Sequence, residues 1–135
     1  GQIRKALSDV HVVAGAFRQR IESPGLPYRW LEWGNARRVT WWCMAYGDQG
    51  IFVRREVFER LGGFAEVSFL EDVLFSRRVR CEGKVALLTG PLHVSARRWQ
   101  KHGVVRQTLK NWLILSAHHF GVSPQRLAQY YRSHQ

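Results

Sequence analysis

The 135 residues carry 21 Lys and Arg against 10 Asp and Glu, a formal charge of +11, with 45% apolar and 23% charged side chains. This fits one compact globular domain with a single core, and no apolar run approaches the roughly 18 residues of a membrane-spanning helix. The charge favours phosphates, nucleic acid or an anionic membrane surface as partners, and speaks to association rather than to fold.

Gln2 to Leu7 reads as the middle of a helix, and with no initiator Met a fragment of a longer protein is expected. Val12 to Ile21 begins apolar and then alternates, as a strand does on leaving a buried sheet. Ser23 to Pro27 is a turn. Residues 28–44 place Trp30, Trp33, Trp41 and Met44 at roughly helical spacing around Arg37. The tryptophans of that helix are expected in the core, although contact with a lipid or glycan is the alternative. Tyr46 to Gly50 breaks the pattern, Ile51 to Val53 is a short strand, and Arg55 to Leu61 a short helix stopped by Gly62-Gly63.

Asp72 is placed to cap a helix from Val73 to Glu82, with Phe75 and Val79 on its buried face. Val85 to Thr89 is a short buried strand ending at Gly90-Pro91, and Ser95 to Trp99 a loop. Val105, Leu109, Trp112 and Leu113 give the clearest helical period of the chain. Ser123-Pro124 opens a last helix with Leu127, Tyr130 and Tyr131 on its apolar face. Cys43 and Cys81 lack metal-ligand spacing, so reduced thiols in a cytoplasmic protein are expected.

Several clusters carry candidate chemistry. A carboxylate at a helix start can be held by backbone N–H groups and the helix dipole, so Glu71-Asp72 is either a catalytic acid pair or an ordinary cap. Gly47-Asp48-Gln49-Gly50 either brings bare backbone amides and polar tips to a ligand or forms a plain turn. Arginine pairs at 54–55 and 77–78 flank these acids and could hold an anion. Arg97-Arg98-Trp99 either clamps a diphosphate, with Trp99 stacking beside it, or is a solvated charge run. No HExxH, Cys cluster, Asp-x-Asp, P-loop or GxGxxG occurs, so no complete metal site or nucleotide cradle of those types is expected on this chain.

The ordered set Gly-Asp-Gln-Gly, Arg-Arg before a helix, Gly-Gly-Phe, Glu-Asp, Ser-Arg-Arg and Ser-Ala-Arg-Arg-Trp, spanning Gly47 to Trp99, resembles the C-terminal half of family-2 glycosyltransferases. It is most similar to the bacterial radical-SAM/selenodomain-associated subgroup. The resemblance implies an α/β fold of the GT-A type, here its C-terminal half with a short mixed sheet and flanking helices. Residues 1–21 would lead out of the donor-binding half, 22–100 would form part of the catalytic core, and 101–135 the C-terminal helices. It implies inverting transfer of a sugar from a nucleotide-diphosphate donor to an acceptor hydroxyl, with Asp72 as base and Glu71 its neighbour. Asp48 and Gln49 would border the acceptor pocket, and Arg97, Arg98 and Trp99 would lie near the donor diphosphate.

Family members hold a divalent metal, Mg or Mn, with an Asp-x-Asp in a first half that these residues do not include. The expected piece therefore carries the base without the donor site, is inactive alone, and is prone to pair into dimers or aggregates through exposed edges. A cytoplasmic location is expected from the reduced thiols, with peripheral contact at the inner membrane as one option. The alternative is a non-catalytic basic module for nucleic acid or an anionic membrane, supported by the charge and six tryptophans. No specific nucleic-acid motif is present.

Overall fold

The computed structural model describes residues 1–67 and 69–133. The chain is α/β, with one three-stranded mixed sheet and flanking helices. It divides into two compact units: Gly1–Ala65 with Asp72–Ser95, and Glu66–Glu71 with the segment from Ala96 onward.

The first unit is built on β1 (Val12–Ile21), which lies between β2 (Phe52–Val53) and β3 (Lys84–Val94). β1 runs antiparallel to β2, with Ala14 opposite Val53 and Gly15 opposite Phe52. It runs parallel to β3, from Val12 opposite Lys84 to Ile21 opposite Val94. This explains its composition. Val12 to Ala16 are buried throughout, covered on both faces where the sheet is widest. Beyond Phe17 only β3 remains alongside, and the strand alternates outward Arg18 and Arg20 with inward Gln19 and Ile21. Gly15 has no substitute, since a Cβ there would lie 2.4 Å from both the Ala86 carbonyl oxygen and the Phe52 ring.

The parallel pairing of β1 and β3 requires a crossover, which the helices supply. α1 (Gln2–Leu7) precedes β1, and α2 (Leu26–Trp42) follows it with Pro27 in its first turn. α2 sets Val39 into a cluster with Ala16 and Ala45. α3 (Arg55–Arg60) stops at Gly62 and Gly63, whose φ values of 74° and 71° suit glycine. α4 (Glu71–Val79) buries Phe75 and Val79 against Val13, Ala14 and Val57. Phe75 also meets Phe58 at 5.5 Å and Phe64 at 4.7 Å between ring centroids, so the Gly-Gly-Phe segment serves the core.

Two arginines of the expected anion-holding pairs are structural. Arg54 donates to the carbonyls of Val12, Leu7 and Asp9, and Arg78 to those of Leu61 and Gly63, each at 2.7 Å for Arg78. The Arg54 guanidinium thereby ties the end of α1 and the 8–11 turn to the start of β1, and that of Arg78 ties the Leu61–Gly63 turn to α4.

The second unit contains α5 (Arg97–His102), α6 (Val104–His119) and α7 (Pro124–Ser133). α7 begins as its sequence implies, with Ser123 Oγ accepting the Arg126 N–H at 3.4 Å, and buries Leu127 and Ala128. Tyr131 packs against Phe69, ring centroids 5.2 Å apart.

Several expectations are corrected. β3 continues past Gly90-Pro91 to Val94, because β1 offers pairing partners as far as Ile21. The segment expected as a loop at Ser95 to Trp99 enters α5 at Arg97. α4 starts at Glu71 and ends at Val79, so Asp72 lies inside its first turn rather than capping it. The tryptophans of α2 are outside the core: Trp30, Trp33, Trp41 and Trp42 are all more than half exposed. α6 forms where the period of Val105, Leu109, Trp112 and Leu113 places a helix; it leaves those four exposed and turns Gln107 and Ile114 inward. Cys43 and Cys81 are free thiols, and no helix among the described residues is long and apolar enough to cross a membrane.

Candidate active site

α2 ends when Cys43 takes a left-handed conformation, φ 54°, and its N–H returns to the Val39 carbonyl at 3.0 Å. The chain then buries Met44 and Ala45 and makes a tight 3-10 turn, Gly47–Gln49, which Gly50 leaves at φ 64°. A buried polar network holds this turn. Gln49 is fully buried; its Oε1 accepts from Arg38 Nη2 at 2.7 Å and from the Tyr46 N–H at 3.3 Å, and its Nε2 donates to the Asn35 carbonyl at 3.5 Å.

Arg38 also donates from Nη1 to Asn35 Oδ1 at 2.9 Å and from Nε to the Met44 carbonyl at 3.2 Å, while its guanidinium lies 3.7 Å from the centre of the Tyr46 ring. Asn35 Nδ2 donates to Gln19 Oε1 at 2.6 Å, and Gln19 Nε2 donates to the Asp48 carbonyl at 3.1 Å. Side chains from β1 and α2 thus grip the turn from within. Burial pulls the Arg38 guanidinium below its usual range, opposed by the nearby Tyr46, Asp48 and Asp72. Burial also pushes the Tyr46 phenol up, with Arg38 acting against it.

The turn presents one backbone donor to α4. Asp72 Oδ2 accepts the Gly47 N–H at 2.7 Å, and Oδ1 accepts the N–H of Val73 at 2.7 Å. Four residues along the same helix face, Ser76 Oγ donates to the Ala45 carbonyl, a second tie between α4 and the 43–50 segment. The Asp72 carboxylate is half-buried and fixed by one N–H on each oxygen. A carboxylate so oriented keeps lone pairs for a hydroxyl and needs no reorganisation to take its proton. Gly47 is a tight fit beside it, since a Cβ there would sit 3.3 Å from Oδ2.

Among the residues singled out in the sequence, Asp72, Asp48 and Gln49 come together here. Asp48 is exposed in the turn, whereas the Gln49 amide is occupied by Arg38, Tyr46 and Asn35, which makes it a support of the turn. Glu71 is exposed at the first position of α4. Arg97 and Arg98 are exposed and Trp99 half-buried on α5, in the second unit. Arg38, Asn35 and Gln19 lie outside the motifs read from the sequence, and Tyr46 and Ser76, which stand within them, carry no sequence sign of these bonds. Among the described residues, no three His, Cys, Asp or Glu side chains gather in a metal-holding group. No family model, curated protein or solved structure matches the chain.

Proposed function

We propose that this chain is the acceptor-side portion of an inverting glycosyltransferase of GT-A type, with Asp72 as its catalytic base. The observation that carries the reading is the Asp72 carboxylate, pinned by the Gly47 and Val73 amides beside the Gly-Asp-Gln-Gly turn. In the reaction an Asp72 oxygen takes the proton of the acceptor hydroxyl as that hydroxyl's oxygen bonds to the anomeric carbon. The bond from that carbon to the diphosphate breaks on the opposite face, and the nucleoside diphosphate leaves with the electron pair.

A divalent ion, where the family binds one, would be held by residues of the family's preceding half and would supply positive charge to the diphosphate. Asp48 stands at the acceptor side of the turn, Glu71 flanks the base, and Arg97, Arg98 and Trp99 are assigned to the donor diphosphate by resemblance. A general nucleic-acid module is the weaker reading, because Arg54 and Arg78 are committed to backbone carbonyls rather than to a shared basic stripe.

The test is release of nucleoside diphosphate by the full-length protein from UDP- and GDP-sugars with Mn²⁺. Asp72→Asn should lower turnover by at least about 100-fold, and Glu71→Gln by less. The amide of Asn can accept only one of the two N–H bonds, so some loss of stability accompanies the change and turnover is compared below the onset of unfolding. Turnover within a few-fold of the parent, with unchanged circular dichroism, would leave Asp72 as a tie between α4 and the turn.

A further inference from the structure

The outward side of α2 is a second surface with its own chemistry. Leu26, Trp30, Trp33 and Trp41 are 75%, 69%, 54% and 63% exposed. At 100° per residue they fall within an arc of about 80°, along a row of about 22 Å. The inner side of the same helix is already satisfied by Val39, fully buried against Ala16 and Ala45. The outer row therefore contributes nothing to this core.

Beside the row lies a cleft of about 850 Å³ between α2 and the outer ends of β1 and β3. Arg18, Arg20, Arg29 and Arg37 line it, with Glu32 as its one carboxylate. Glu32 is taken by Arg29 at 3.0 Å and Arg20 at 3.7 Å, so the cleft keeps a surplus of positive charge. Arg37 sits on the boundary, its guanidinium 4.4 Å from the Trp33 ring centre and 4.3 Å from that of Trp41.

We propose that the outer face of α2 and the adjoining arginine cleft dock onto an anionic phospholipid bilayer, with α2 lying in the interface plane. Exposed tryptophans settle at the headgroup boundary, and arginines beside them reach lipid phosphates. The charge decides against a second copy of the chain, which would bring the same cleft and the same net +11 to the contact. Stacking of nucleic-acid bases is disfavoured because Arg37 already covers one face of both Trp33 and Trp41. This docking is independent of the role of Asp72.

The experiment is partition of the full chain onto vesicles of phosphatidylcholine alone or with about 30% phosphatidylglycerol, whose charge attracts surface arginines. Four arginines against one carboxylate leave a surplus of three charges, which predicts a preference for the anionic vesicles of about 150-fold at low salt, falling as salt rises. Tryptophan emission should shift to the blue and be quenched by brominated lipid. Trp30→Ser with Trp41→Ser should weaken partition by about tenfold or more, Arg18→Gln with Arg37→Gln should cut the anionic preference by about 30-fold, and Trp112→Ser on α6 should change neither. Equal partition onto both vesicles, dependence on Trp112 alone, or binding of a single-stranded oligonucleotide with indifference to vesicles would each overturn the proposal.

Discussion

Replacing Arg38 by Leu tests whether the buried network holds the turn that positions Asp72. The guanidinium donates to Gln49 Oε1, Asn35 Oδ1 and the Met44 carbonyl and covers the Tyr46 ring. Leucine would leave Asn35 Oδ1 and the Met44 carbonyl without these donors, at about 1–3 kcal/mol each, and would remove a cation–π contact of about 1 kcal/mol. Relief from desolvating the guanidinium offsets part of this, so the net loss should be about 3 kcal/mol. Lysine keeps the charge but not the three-way fork, and should lose most of the same energy. In urea, followed by circular dichroism, a slope of about 1.5 kcal/mol/M places the shift of the Arg38→Leu midpoint at about 2 M. A shift below about 0.5 M at unchanged slope would refute the idea that the network stabilises the turn.

Gly15→Ala should be the most disruptive single methyl in the sheet, costing about 3 kcal/mol or more, because the new Cβ meets the Ala86 backbone oxygen at 2.4 Å and strands cannot yield as a side chain can. Thermal unfolding within about 1 kcal/mol of the parent would contradict that close approach. Tyr46 gives a pH signature: its folded phenol ionises above the ordinary 10.0, so its protonated form adds stability that is whole below pH 10 and is lost as pH rises through the folded value. Against Tyr46→Phe, the parent's urea midpoint should hold a constant offset at lower pH and drop relative to the variant above pH 10; parallel curves would show that the phenol is not buried.

Much of the first unit was legible because its signals are local. The run from Val12 to Ile21 changes from continuous burial to alternation where β2 stops pairing, and Gly62-Gly63 ends α3 as its left-handed backbone demands. Aromatic spacing misled on α2, since a row of tryptophans at helical intervals has the same period whether it faces a core or the outside. α2 carries apolar residues on both sides, Val39 inward and Trp30 outward, and no period can say which is covered. The acid pair was legible as a pair, but the bond that distinguishes Asp72 from a plain cap reaches Gly47, 25 residues away.

The register of β1 on β3 decides how the two surfaces of this unit are shared out. From Phe17 opposite Leu88 to Gln19 opposite Leu92, β1 advances two residues while β3 advances four, so Thr89 to Pro91 bulge out without reversing the alternation. Phe17 and Leu92 consequently converge on Gly50, where a Cβ would touch both, and Gln19 on the same side of β1 reaches the Asp48 carbonyl. Arg18 and Arg20 are exposed on either side of Gln19 in the chain and line the cleft beside α2, which Gln19 also borders. An irregularity of one residue instead of two would turn Leu92 away from Gly50 and remove the packing beneath the turn that carries the Asp72 donor. The even bulge therefore adds Leu92 to the packing beneath Gly50, alongside the side chains of Arg38, Asn35 and Gln49 that hold the same turn from α2 and from within.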